Sequence, residues 1–261
     1  MRGYCLTIIT PAKTKFVINV GLIQTKTYRS NKDGINQISK LLNHAGEKKA
    51  KIICLPEQWL TNNEIDDFEV EFLEFKKIAK KYRMTIITGA FYKNSKKGLK
   101  IVSPIIGPEG KIIGQQEKIH PYDYEKKKVI PGKKVKIFNT SCRFGVIICY
   151  DMVFPKVAET FVKNGAQIIF SPGRIVKRGI IPWESYVKVR SLENRVPILA
   201  ANVENQRFGG NSMIIDLIEK NKVMIPKINR AKGEKVIIKK IDLKKFEKSR
   251  KIRYTDAKKF S

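Results

Sequence analysis

The chain has 261 residues, 42% of them apolar, and no low-complexity tract, fixed-period repeat or Gly/Ser linker. It is therefore read as a single domain over 1–261 with a basic C-terminal segment from about 220 to 261. Its 53 Lys and Arg against 24 Asp and Glu give a formal charge of +29, a field that attracts nucleic acid, acidic membrane surfaces or anionic substrates. No zinc-finger spacing, basic zipper or aromatic-rich RNA-binding signature accompanies that charge, so nucleic acid is not the favoured partner and a Lys-rich solvated surface is the simpler reading.

In chain order, Phe16–Gln24 predicts a first strand. Asn31–Gly46 repeats apolar residues at helical spacing (Ile35, Ile38, Leu41, Leu42, Ala45). Lys51–Leu55 reads as a buried strand running into Pro56-Glu57, and Asp66–Tyr82 as a helix with Phe68, Phe72, Phe75, Ile78 and Ala79 inward. Met84–Phe91 is a strand, and two more flank the turn Gly107-Pro108-Glu109-Gly110. Phe144–Cys149 is a strand ending at Tyr150-Asp151, Pro155–Asn164 a short helix, Ala166–Phe170 a strand, and Trp183–Asn194 a helix. Strands over Pro197–Asn202, Ser212–Asp216, Lys222–Ile225 and Lys235–Ile241 complete the pattern. Alternating strands and helices, several strands apolar on both faces, predict an α/β protein with layered sheets and outer helices.

The cysteines are Cys5, Cys54, Cys142 and Cys149, with no C-x-x-C pair and only two histidines. Neither a zinc centre nor a disulfide framework is expected, and no phosphate-cradling glycine loop points to a cofactor. The first 24 residues lack a continuous apolar run with a cleavage site, and no stretch approaches the ~18 apolar residues that span a bilayer. A cytoplasmic location without a membrane partner is expected.

Three strand ends each present one reactive side chain: Leu55-Pro56-Glu57, Glu117-Lys118-Ile119-His120, and Gly145-Val146-Ile147-Ile148-Cys149-Tyr150-Asp151. Singly, a cysteine after an apolar strand is usually a packed hydrophobe, and a lone Glu or Lys at a loop entrance is usually solvated. Their order Glu–Lys–Cys is joined by Phe154-Pro155, Glu125 six residues before Pro131-Gly132, Arg190 with Glu193-Asn194, and Gly210-Asn211-Ser212.

With these motifs the chain resembles the nitrilase superfamily of carbon–nitrogen hydrolases over about residues 16–216. The resemblance implies an α-β-β-α sandwich that pairs through its helices as a homodimer or higher homo-oligomer. It implies an amidase acting on a small amide or carbamoyl amide through a Cys149 thioester, with release of ammonia. The chemistry suits the residue types: amide carbonyls are poor electrophiles, so thiolate attack divides one hard step into two. Glu57 is the candidate proton carrier, and Lys118 with the backbone N–H of Tyr150 the candidate oxyanion stabiliser. Glu125 matches a fourth polar residue that positions Lys118 or the substrate, or is a surface ion pair with Lys126–Lys128. Two departures bear on the substrate. Val153 stands where the family often has arginine in Cys-Tyr-Asp-x-Arg-Phe-Pro, which puts an amino-acid-like substrate in doubt. Gly173-Arg174 follow Ser171-Pro172, and Arg174 either meets an anionic group of the substrate or faces solvent; Trp183 is read as packing a helix. The competing hypothesis is a weak or inactive relative that binds polyanions through its basic surface.

Overall fold

The computed structural model describes residues 16–258. The first sheet grows from β1 (Val17–Gln24), β2 (Ile52–Cys54) and β3 (Thr85–Ile87), three parallel neighbours. Parallel pairing needs crossovers, and these are helical: α1 (Asn31–Glu47) between β1 and β2, then α2 (Phe68–Glu71) and α3 (Leu73–Tyr82) between β2 and β3. Ser30 caps α1 by accepting the Asp33 N–H at 3.1 Å, and Asp67 caps α2 by accepting that of Glu69 at 2.7 Å. Antiparallel β4 (Phe91–Ser95), β5 (Gly98–Ile106) and β6 (Ile112–Glu117) extend the sheet.

The second sheet repeats the plan. β7 (Phe138–Asn139) and β8 (Arg143–Val146) form an antiparallel pair; β8, β9 (Ile168–Pro172) and β10 (Ile198–Ala201) are parallel, crossed by α4 (Pro155–Lys163) and α5 (Ile180–Asn194). β11 (Met213–Lys220) and β12 (Val223–Arg230) add antiparallel strands joined at Asn221-Lys222, both left-handed. β13 (Lys235–Asp242) then crosses to the first sheet beside β1, and α6 (Glu247–Ala257) follows. The basic segment from about 220 thus supplies a strand to each sheet.

Alternation along the strands sorts the apolar side chains into three layers. Val20, Leu22, Phe144, Val146, Phe170 and Leu199 meet between the sheets. Ile53 and Ile86 face α1 and α3, against Trp59, Phe68, Phe72, Phe75 and Phe91. Ile147, Ile169, Ile198 and Met213 face α4 and α5, against Phe161, Trp183 and Val187. The architecture is a four-layer α-β-β-α sandwich.

The structure corrects several local expectations. The stretch 84–91 is two strands, because Gly89 (φ +106) turns the chain where a Cβ would stand 2.2 Å from the Pro56 carbonyl oxygen. The helix expected over 66–82 breaks at Phe72. The strand expected to reach Cys149 ends at Val146, and β12 runs on to Arg230. No strand or helix signal had marked α6, which has no buried residue. Among the described residues no helix is long and apolar enough to cross a membrane.

Candidate active site

Glu57, Lys118 and Cys149 come from three different strand ends and meet at one edge of the sandwich. In open α/β sheets, ligands gather at the carboxyl ends of parallel strands. Glu57 lies just past β2. Its backbone N–H donates to the Gly173 carbonyl at 3.2 Å, across to the loop after β9. The corner continues through Gln58, left-handed at φ +46, into Trp59, whose indole N–H donates to the Thr88 carbonyl at 2.8 Å. Trp59 packs against Tyr28, Phe75 and Phe91 at 6.0–6.4 Å between centroids, so the aromatic layer under α1 and α3 fixes the Glu57 corner.

Lys118 follows β6 directly. Its N–H donates to the Ile101 carbonyl at 2.8 Å, and its own carbonyl accepts the Gly132 N–H at 2.7 Å. Gly132 is packed too closely for a side chain: a Cβ there would meet the Glu117 Cβ at 2.7 Å. Cys149 sits three residues beyond β8 at φ +46 and opens a 3₁₀ turn, Cys149–Val153. That turn lifts the thiol away from the sheet. Asp151 in the turn accepts the backbone N–H groups of Ile119 (3.1 Å) and His120 (2.7 Å), tying the lysine loop to the cysteine loop. The His120 ring stacks on Phe154 at 3.8 Å. From behind, Arg190 donates to the carbonyls of Met152 (3.1 Å) and Val153 (2.6 Å).

The structure brings Glu125 into the same cluster. Lys118 Nζ lies 2.9 Å from Glu57 Oε1 and 2.8 Å from Glu125 Oε2, and the three residues are 1%, 3% and 2% exposed. Glu125 Oε2 also accepts the Tyr122 N–H at 2.7 Å. The Cys149 thiol lines one cavity with Glu57, Lys118, Glu125 and Arg174.

Burial and the neighbouring charge of Glu57 push the Cys149 thiol well up, outweighing Lys118 and the Arg174 N–H, so the resting group is the protonated thiol. Burial alone would favour neutral lysine. The charges of Glu57 and Glu125, with the Glu125 hydrogen bond, outweigh it and hold Lys118 as the ammonium, above its ordinary range. Burial, then the charge of Glu57, raise the Glu125 carboxyl against the pull of Lys118. One cation between two buried carboxylates explains why one partner rises although it is paired: the ammonium cannot fully compensate both.

Above this floor opens a cavity of about 530 Å³. Tyr150 lines it, its ring T-shaped against Tyr122 at 5.0 Å. Val153 lines it too, and Trp183, buried among α5 and the sheet, also shows an edge to it. Arg174 faces the cavity with its guanidinium 4.8 Å from the Phe208 ring centroid and one Nη 3.5 Å from the Gln58 carbonyl oxygen. Arg178, Arg207 and Phe208 complete that wall. No sequence signal had singled them out, since Phe208 and Arg207 lie 33 or more residues beyond Arg174 and carry no motif. Among the described residues there is no group of three or more His, Cys, Asp or Glu able to hold a metal, and Cys54 and Cys142 are buried free thiols. Cys5 and the start of the chain up to residue 15 lie outside the described residues.

The family profile described as carbon-nitrogen hydrolase matches residues 19–251. Omega-amidase NIT2 of Pongo abelii is 27% identical over 202 residues, 70% of this chain and 73% of that protein. The chloroplastic omega-amidase of Arabidopsis thaliana is 27% identical over 215 residues, 73% of this chain and 58% of that protein. Among solved structures, a carbon–nitrogen hydrolase of Helicobacter pylori G27 superposes with a TM-score of 0.78 at 21% identity, covering 91% of this chain and 93% of its own. Saccharomyces cerevisiae Nit3, of the nitrilase superfamily, gives 0.78 at 22% identity, covering 90% and 94%.

Proposed function

This chain belongs to the carbon–nitrogen hydrolase family, and from that premise we propose that it hydrolyses an amide through a thioester on Cys149, releasing ammonia. The observation that carries the proposal is the cluster itself: the Cys149 thiol lines one cavity with Glu57, beside an ammonium shared by Glu57 and Glu125. A structural ion pair needs no thiol, and a thiol packed for its bulk needs no carboxylate aimed at it. The omega-amidases matched above favour an amide over a nitrile.

The steps follow from the placement of these groups. As sulfur attacks the carbonyl carbon, Glu57 takes the thiol proton, a C–S bond forms, and the carbonyl π pair moves onto oxygen. Lys118 and the backbone N–H of Tyr150 stabilise that oxyanion. Collapse restores the carbonyl and breaks the C–N bond; Glu57 returns its proton to the departing nitrogen, and ammonia leaves. Water then attacks the thioester, giving its proton to Glu57. The C–S bond breaks, the acid departs and the thiol is protonated again. Glu125 holds the Lys118 ammonium toward the reacting carbonyl.

A homodimer or larger homo-oligomer is part of the proposal. It is supported by Ile181 and Val189 on α5, exposed at 81% and 47% although large and apolar; sedimentation as a monomer at micromolar concentration overturns it. A polyanion-binding role rests on charge alone and gives no task to the buried cluster. The deciding experiment supplies ω-amides, simple aliphatic amides, carbamoyl compounds and nitriles, assays ammonia, and weighs the intact protein. Turnover of an amide with a transient acyl adduct on Cys149 supports the proposal. Ammonia released equally by Cys149→Ala ends it.

A further inference from the structure

We propose that His120 is a positioning residue that sets the two oxyanion donors, the Lys118 ammonium and the Tyr150 N–H, against each other. The proposal rests on the amidase reading above and adds to it a residue that acts through others. The two donors do not share a sheet. Lys118 follows β6 of the first sheet, and Tyr150 stands in the turn after β8 of the second. Their spacing therefore depends on what joins the two loops. Among the described residues, the hydrogen bonds that cross between 118–122 and 149–154 all end on Asp151. They come from the Ile119 N–H at 3.1 Å, the His120 N–H at 2.7 Å and the His120 ring at 2.9 Å. Asp151 is 2% exposed and adjoins Tyr150 in the chain.

The ring contact is the part of this joint that a side chain decides. Both Asp151 oxygens already accept backbone N–H groups, so Nδ1 of His120 is the donor. Two ring contacts follow the same seam. The His120 ring lies flat on Phe154, 3.8 Å between centroids and 15° between planes, and Tyr122 meets Tyr150 at 5.0 Å. His120 thus holds Asp151 inside the Cys149–Val153 turn and Phe154 at its C-terminal cap. The turn needs such a hold, because Cys149 opens it at φ +46, a conformation that side-chain-bearing residues resist. Arg190 grips the turn as well, through the carbonyls of Met152 and Val153, but it sits on α5 and refers the turn to the second sheet. The His120 grip refers it to Lys118, two residues away in the chain. A histidine that merely fills space would need the stack and not the donor.

The test compares the wild type with two variants. His120→Phe keeps a stacking ring and removes the donor; His120→Asn has a side-chain amide whose N–H stands about where that of Nδ1 stood. Because the oxyanion forms on the way through the transition states, a displaced donor lowers kcat and spares KM. His120→Phe is expected to lose about 10- to 100-fold in kcat on any amide the wild type hydrolyses, with KM within about threefold. His120→Asn is expected to keep most of the wild-type kcat. A second readout separates the oxyanion from the thiol. Attack of Cys149 on a methanethiosulfonate forms a disulfide and expels a sulfinate, with no charge placed on a carbonyl oxygen. Its rate, followed by mass on the Cys149 peptide, should be the same in all three proteins. If His120→Phe does not fold, His120→Met, flexible enough to fill the space without a donor, takes its place. Wild-type kcat in the donor-free variant overturns the proposal. So does a His120→Asn no better than His120→Phe, or disulfide formation that slows in step with kcat. The amidase reading stands through each of these outcomes, since it is tested by the wild type's own turnover and by Cys149→Ala. Ammonia release that survives Cys149→Ala overturns both.

Discussion

On the floor of the cavity every charged side chain has a partner close by: Lys118 meets Glu57 at 2.9 Å and Glu125 at 2.8 Å, all three buried, Glu57 and Lys118 held by backbone hydrogen bonds past strand ends and Glu125 in the 3₁₀ turn Asp123–Lys127. On the rim, Arg174 and Arg207 stand on loops against the Phe208 ring and Arg178 in the 3₁₀ turn Lys177–Gly179, and among the described residues no carboxylate pairs with any of the three within 4.0 Å. The difference separates two tasks. The groups that the proposed reaction uses stand just past strand ends, where backbone hydrogen bonds and packing fix their positions. Side chains on the connecting segments of the rim are less constrained.

If that division is real, floor substitutions remove rate and rim substitutions redistribute specificity. The largest effect belongs to Cys149→Ala, which should bring turnover to the uncatalysed level with a melting temperature within a few degrees of the wild type. Residual turnover would mean the nucleophile lies elsewhere. Next, Glu57→Gln should lower the acylation rate by about 10²–10⁴-fold, and Lys118→Met the turnover by about 10²–10³-fold. The double mutant should lose far less than the product of the two, because groups that act on one transition state are not additive. Lys118→Met also strips two buried carboxylates of their cation and should cost about 3–5 kcal/mol of stability, read by chemical denaturation. A destabilised Lys118→Met with near-normal turnover would make the cluster structural. Glu125→Gln should be milder, about 10- to 100-fold in kcat, the scale of misplacing a group rather than deleting it.

The smallest effect tests the rim from behind. Glu184 on α5 bonds Asn211 at 3.1 Å and Arg230, anchoring the strand that follows the Phe208 loop. Burial raises its carboxyl, but hydrogen bonds from Lys188, Arg230 and Asn211 outweigh that and take it down to about 2. A carboxyl depressed on folding adds stability above its unfolded value of about 4.5, and that stability is lost as pH falls toward 2. The melting temperature should therefore drop over this interval, and less steeply in Glu184→Gln. Identical slopes in both proteins would remove the anchor.

What the sequence disclosed follows the same division. Short apolar runs such as Ala166–Phe170 and the helical spacing of Asn31–Gly46 expose strands and helices directly, because each is set by residues near in sequence. The Glu57, Lys118 and Cys149 motifs are legible as short strings at strand ends. The corner at Cys149 is not: Ile147-Ile148 continue the apolar run of β8, and nothing local signals that the chain leaves the sheet at Val146. Gly89 could have warned that 84–91 is two strands. α6 was missed because Glu247–Ala257 buries no residue, so it carries no stripe; it is held by Tyr254 packing at the edge of the core under α4 and α5 and by hydrogen bonds from Arg250 to the Arg195 carbonyl at 2.9 Å and from Tyr254 to Asn194 at 2.5 Å. The arginine wall is illegible for another reason. Its members are brought together by hydrogen bonds between two loops, a pairing that no local pattern encodes.

Three residues around the cavity hold backbone angles that side-chain-bearing residues avoid: Gln58 and Cys149 at φ +46, and Asp123 at φ +30. Each such corner costs on the order of 1–3 kcal/mol, sustained by the packing around it. Glycine would relieve the strain at any of them. A lineage or a laboratory screen selecting only for heat resistance would be drawn to these three positions. At Cys149 it would gain stability by discarding the proposed nucleophile, so thermostable variants of this protein are best sought with activity as a second, simultaneous selection.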